Sequence, residues 1–134
     1  MRPMSVVRIN AITVPAEPGE LIRVRRALAR WLDKNGVEQS DADELVLACS
    51  EACANAVRHA YGPTGGMVQV EARRDDGGVE IVVGDTGRWR LRRGAGSGLG
   101  LTLIGAVASS VTVDKDRSGT TVTMRREVER RVST

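Results

Sequence analysis

The chain has 134 residues, 41% hydrophobic and 28% charged, with a formal net charge of +3. That length is one domain by prior and buries roughly two-thirds of its unfolded surface, enough for a true core. The core has to be aliphatic, since there is no Phe and the aromatic residues are Trp31, Trp89 and Tyr61; the same shortage leaves few base-stacking platforms and speaks against direct nucleic-acid binding, despite Arg clusters at 23, 25, 26, 30 and at 88, 90, 92, 93.

In chain order, VVRINAITVP (6–15) is β-rich and ends at proline, so one strand with a short irregular lead-in is expected there. After the AEPGE turn, Leu21, Val24, Leu28, Trp31 and Leu32 recur at helical spacing until KNG stops the run. SDADE opens a second helix, with Ser40 or Asp41 as N-cap and acids in its first turn, running to about Tyr61, where GPTGG breaks it. MVQVEARR (67–74) alternates like a strand, DDGG is a hairpin turn, and VEIVVGD (79–85) is more continuously apolar and hence central. Residues 86–98 form a Gly- and Arg-rich loop, LGLTLIGAVA (99–108) is a third helix, and SVTVDKD and TTVTMRREV close a hairpin across RSG. The order β-α-α-β-β-loop-α-β-β predicts an α/β two-layer sandwich with a mixed β-sheet. The Arg-rich tail after Val128 is expected to fray.

The second helix carries an unusual polar group within SEACANAVRHAY (50–61). At about 100° per residue with Glu51 at zero, Leu45, Cys49, Ala52, Cys53, Ala56 and Ala60 form a buried stripe. Glu44, Asn55 and Arg58 gather around Glu51, with His59 at the edge. A solvated face would account for this. Against it, Asn is a poor mid-helix residue for mere solubility, and Ala48 and Ala54 beside it would let a bulky ligand approach. A carboxylate and an amide oxygen one turn apart also suit a hard cation and an activated hydroxyl or water. Cys49 and Cys53, i and i+4 on this helix, are poorly placed for a disulfide and read as small buried hydrophobes.

GDTG (84–87) ends the central strand and GAGSGLG (94–100) opens the third helix, where backbone N–H groups and the helix dipole receive phosphate. The spacing fits neither GxGxxG, since Leu stands at 99 and 101, nor a Walker A, since no Lys is near. Asp85 at the strand end could accept a hydrogen bond from an exocyclic amine such as that of adenine. Asp85-x-Gly87 taken alone is equally a turn. Together with the Glu51/Asn55 helix, the two glycine segments make three marks in a specific order.

On these residues the chain resembles the GHKL ATPases, and most of all the anti-sigma-factor serine-protein kinases of bacterial stress and sporulation switches. Glu51-x-x-x-Asn55 looks like the N box, Asp85-x-Gly87 the G1 box, GSGLGL (96–101) the G2 box, and GTTV (119–122) the last glycine-threonine motif. The resemblance implies a sheet covered on one face by about three helices, with ATP and Mg²⁺ as cofactors. It implies Glu51 as general base, Asn55 as Mg²⁺ ligand and Asp85 with Gly87 at adenine. It implies Gly96, Gly98, Leu99 and Gly100 at the phosphates, and Thr120 or Thr121 in the water network beside the base. His59 matches a position often His in the family, with a packing role. GRWR after the G1 box is similar to kinase-like domains fused to phosphatases, which leaves open that residues 1–134, one domain, belong to a longer regulator. The lid between the G1 and G2 boxes is short, about ten residues from Arg88 to Ser97. In it Arg90, Arg92 and Arg93 are either phosphate ligands or solvated loop charges.

The resemblance implies an enzyme that sequesters a sigma factor and phosphorylates a STAS-domain antagonist on serine. The alternative is an ATP-dependent sequestering module without phosphate transfer, which the short lid favours. A complete histidine kinase is not expected, because no dimerisation helix pair with a phosphoacceptor histidine is present. Family members often form homodimers, and the sequence leaves that open. With no apolar run of about 18 residues and no signal-peptide core, membrane insertion is not expected and a cytoplasmic location is.

Overall fold

A computed structural model of the chain describes residues 7–8, 12–59, 66–85, 105–116 and 119–128. Its strands are β1 (Val7–Arg8), β2 (Ile12–Pro15), β3 (Met67–Arg74), β4 (Gly78–Asp85), β5 (Ser110–Asp116) and β6 (Gly119–Glu127). Its helices are α1 (Leu21–Lys34), entered through a 3₁₀ turn at Pro18–Glu20, and α2 (Gln39–His59). Of the third expected helix, residues 105–107 are described and are helical; 99–104 lie outside the described residues.

Helix α1 forms because its apolar residues fall on one stripe, and Leu21, Val24, Leu28, Trp31 and Leu32 are all buried. It stops where the sequence says. Gly36 takes φ +75°, its N–H donates to the Asp33 carbonyl at 3.2 Å, and Val37 N–H donates to the Leu32 carbonyl at 3.1 Å. This paired closure satisfies carbonyls that a helix end leaves orphaned, and a side chain at Gly36 would be strained in that conformation. Helix α2 starts at Gln39, ahead of the expected caps Ser40 and Asp41, with Ala42 N–H reaching the Glu38 carbonyl at 2.8 Å. Its stripe Leu45, Cys49, Ala52, Cys53 and Ala56 is buried as expected. Ala48 belongs with it: at 0% exposure it is core, not an open border for a ligand.

The strands form one sheet in the order β1-β3-β4-β6-β5, with β2 also on β3. Strand β4 is central, as its apolar run predicts. The expectation of a mixed sheet is corrected, because every described pairing is antiparallel. The reason is β6. Strands β4 and β5 run the same way, but β6 inserts between them and pairs antiparallel with each. The single strand expected over 6–15 is likewise two. Register advances by one residue between Arg8↔Arg73 and Ile12↔Val70, so the segments are not one uninterrupted ladder.

Alternation then sorts the sheet into two faces. Val68, Val70, Ala72, Val79, Ile81, Val83, Val122 and Met124 point to the helices and are buried. Full burial of a side chain the size of Leu28, Leu45 or Ile81 contributes about 1.5–3 kcal/mol, and this aliphatic layer holds the sandwich together. The other face is polar. There Arg73 pairs with Glu80 at 2.8 Å, and Arg125 donates to both carboxylate oxygens of Asp75 at 2.8 and 2.9 Å. Asp75 also closes the β3–β4 turn, accepting from Gly77 and Gly78 N–H at 2.9 and 3.0 Å.

Candidate active site

Five of the sequence-predicted residues are described: Glu51, Asn55, Asp85, Thr120 and its alternative Thr121, which alternates with Thr120 and so lies on the other face of the sheet. Gly87, Arg93, Gly96, Gly98, Leu99 and Gly100 lie outside the described residues, as does the side chain of His59.

Asp85 is the last residue of β4, 8% exposed, on the helix-facing side of the sheet. Its ladder partners are Val68 of β3 and Thr120 of β6, and Thr120 is 2% exposed. A carboxylate at the end of a central strand is placed there because the apolar alternation of β4 runs out at that residue. Gly119, next to Thr120, has φ +153°, and a Cβ there would stand 1.9 Å from the Asp85 carbonyl oxygen. The glycine therefore lets β6 lie flush against the Asp85 backbone. Sequence reasoning placed Gly119 in a motif but missed this contact, which needs the strand register to be seen.

Asn55 settles the question of the polar face of α2. It is 3% exposed while Glu51, one turn earlier, is half-buried, so this side of the helix is not simply solvated. The Arg58 guanidinium donates to the Asn55 amide oxygen. On the same helix Ser50 Oγ accepts from Arg25 Nε of α1 at 3.0 Å. Beneath, the Cys49 thiol is held well above its usual range by a hydrogen bond with Cys53 and then by burial.

Arg126 fixes how α2 lies on the sheet. It continues the helix-facing set Thr120, Val122, Met124, a charge where the alternation calls for an apolar residue, and that was the signal available in sequence. Its guanidinium donates to Asp41 at 2.9 and 3.1 Å, pairs with Glu44 at 2.6 Å and donates to the Val107 carbonyl at 2.5 Å. Since Arg126 stands opposite Val79, α2 starts over the Gly78 end of β4. From Glu44 to Asn55 the helix advances about 16 Å, and from Val79 to Asp85 the strand advances about 20 Å. A course of α2 along β4 would carry Asn55 towards the Asp85 end of the sandwich, with Glu51 one turn back; Thr120 stands beside Asp85. The surface depression lined by Glu71, Ala72, Arg73, Glu80 and Val82 is on the opposite face of the sheet.

Chemically, the described candidates are a buried carboxylate able to accept from an amine, a buried neutral oxygen and a half-buried second carboxylate. Among the described residues no group of three His, Cys, Asp or Glu could hold a metal. The Asn55 oxygen suits Mg²⁺ shared with phosphate and water, the usual way that ion is bound. No described helix is long and apolar enough to cross a membrane.

The histidine kinase-like ATPase domain family matches residues 14–126. A serine-protein kinase RsbW of Bacillus licheniformis is 33% identical over 87% of this chain and 83% of its own length. The RsbW of Bacillus velezensis is 37% identical over 55% of this chain, which spans 47% of that relative. Among solved structures, the RsbU and RsbW domains of a Mycobacterium tuberculosis protein superpose at a TM-score of 0.73 with 28% identity, covering 93% of this chain and 35% of that one. The SiaB–SiaC complex of Pseudomonas aeruginosa shares the fold at a TM-score of 0.66 and 18% identity, over 88% of this chain and 89% of that one. The glycine-threonine strand, the Glu51/Asn55 helix and the Asp85 strand end are therefore parts of one domain type, and the chain belongs to the histidine kinase-like ATPase family, among the relatives of the RsbW serine-protein kinases.

Proposed function

We propose that this chain is an Mg-ATP-dependent serine-protein kinase and anti-sigma factor, which sequesters a sigma factor and phosphorylates a STAS-domain antagonist on serine. Kinship with RsbW supports the reaction class. The observation that supports the nucleotide site is the buried carboxylate of Asp85 at the end of the central strand, directly opposite buried Thr120.

In this reading Asp85 accepts from the exocyclic amine of adenine, where guanine would present a carbonyl. Gly87 permits close approach of the backbone, and Thr120 orders water beside the base. Gly96, Gly98, Leu99 and Gly100 offer backbone N–H groups to the phosphates, with Arg93 as a cationic ligand. Asn55 would hold Mg²⁺, which when bound would offset the negative charge of the phosphates. Glu51 takes the serine proton while the serine oxygen bonds to the γ-phosphorus and the bond to ADP breaks, giving phosphoserine and ADP. Positioning and electrostatics supply most of the rate in such transfers. The reading places residues 1–134 as one cytoplasmic domain, in a homodimer, occurring alone or joined to other domains as in the mycobacterial protein.

The second reading, a sequestering module without transfer, is favoured by the short segment from Arg88 to Ser97, which covers phosphates less completely. Intact-mass analysis of a STAS-domain protein after incubation with this chain and Mg-ATP separates the two. One added phosphate with wild type and none with Glu51→Ala establishes the kinase; a stable complex with bound ATP and no added phosphate establishes the module.

A further inference from the structure

The oxygen of Asn55 that suits Mg²⁺ is the one on which the Arg58 guanidinium rests. From that coincidence we infer that Arg58 is a stand-in cation, which holds the Asn55 oxygen until Mg²⁺ arrives with nucleotide and then gives it up, so that Arg58 sets the Mg²⁺ concentration at which nucleotide binds. This inference rests on Asn55 being the metal ligand.

Three observations carry it. Asn55 is 3% exposed, so its amide cannot turn outward to find water as an alternative partner, and its oxygen is its single acceptor atom. Arg58 is exposed and lies three residues further along the same helix. The bond is therefore local, and a rotamer change returns the guanidinium to water without moving α2 or the sheet. The third is distance. A guanidinium nitrogen sits about 2.9 Å from an accepting oxygen, and Mg²⁺ about 2.1 Å. Sharing one neutral oxygen would place like charges on the order of 4 Å apart, which is strongly repulsive in a partly desolvated site. Glu51, half-buried one turn earlier, is present whichever cation occupies the oxygen and does not remove the competition.

The exchange has a function. A buried amide oxygen left unpartnered is costly, and a mobile arginine keeps it satisfied and aimed. The same arginine raises the free Mg²⁺ needed for occupancy, so the site discriminates against metal without nucleotide.

The test is equilibrium binding of a fluorescent ATP analogue to the full chain as Mg²⁺ is titrated, compared for wild type, Arg58→Met, Arg58→Lys and Asn55→Ala. Arg58→Met should lower the Mg²⁺ midpoint on the order of ten-fold, leaving nucleotide affinity at saturating Mg²⁺ unchanged. Arg58→Lys should return the midpoint towards wild type, and Asn55→Ala should raise it. An unchanged or higher midpoint in Arg58→Met, with Asn55→Ala raised, overturns the role of Arg58 and leaves the metal assignment standing. Weaker nucleotide binding by Arg58→Met at saturating Mg²⁺ also overturns it, making the guanidinium a ligand of the nucleotide. An Asn55→Ala midpoint equal to wild type removes the metal assignment itself.

Discussion

Thr120 of β6 stands directly opposite Asp85 of β4, both on the helix-facing side of the sheet and both buried. The strand that supplies the carboxylate and the strand that supplies the hydroxyl are thus locked in register. Neither can shift by a residue without turning its side chain to the opposite face of the sheet.

Asp85→Asn should leave the fold intact and weaken adenine nucleotide binding at least about ten-fold, because an amide mismatches a donor or an acceptor at the base and removes a charge-assisted bond. Calorimetric titration with ATP checks this. Affinity within a factor of three of wild type would remove Asp85 from the adenine site.

Gly119→Ala should act on the same site from outside it. The added Cβ would meet the Asp85 carbonyl oxygen at 1.9 Å, so β4 and β6 must part at that end. A loss of about 1–3 kcal/mol in stability is expected, together with weaker ATP binding. Gly19→Ala, which meets nothing within 4 Å, is the control. Equal melting temperatures for the two variants would show that the close approach is not a constraint.

The Asp75–Arg125 pair predicts a pH dependence. The Arg125 guanidinium, opposed in part by desolvation and aided by the turn N–H groups, holds the Asp75 carboxyl down at about 2 against 3.8. A depressed folded-state pKa stabilises above the unfolded value, and that contribution is lost as pH falls from about 4 through about 2. For a pair with some solvent access it is about 1 kcal/mol. Asp75→Asn, which can still accept the turn bonds from Gly77 and Gly78, should melt about 4 °C lower at neutral pH. The gap to wild type should close between pH 4 and pH 2. A gap constant with pH would assign the loss to packing instead.

Arg126→Met should cost about 2–4 kcal/mol in urea unfolding, because it leaves Asp41, Glu44 and the Val107 carbonyl without their shared donor. Arg126→Lys should recover little, as one ammonium cannot span two carboxylates of α2 and the Val107 carbonyl together. Full recovery by lysine would mean that the charge alone matters.

Much of this was legible before any coordinates. Strand β3 begins and ends where its alternation does, and α1 ends at the Asn35–Gly36 signal, because both are set by local periodicity and backbone geometry. The insertion of β6 between β4 and β5 was not legible, since strand order is decided by long-range pairing. Arg74 shows the same limit. It continues the buried set Val68, Val70, Ala72 and is itself 7% exposed, whereas composition alone would put an arginine in water. For the site, residue types and spacing singled out Glu51, Asn55 and Asp85. That Asn55 is bonded by Arg58, and that Gly119 abuts Asp85, depended on distances between side chains and strands.

The paired thiols of α2 have a practical consequence. Cys49 and Cys53 are the only cysteines, at 1% and 0% exposure, and the Cys49 proton is held tightly. Maleimide and other thiolate-directed dyes need an accessible, ionised sulfur, so the native protein should be silent to them. One cysteine introduced at Thr123, on the polar face of the strand that carries Thr120, would then take a dye alone. A fluorophore there reports on complex formation from the far side of the sheet, without a cysteine-free background having to be engineered first.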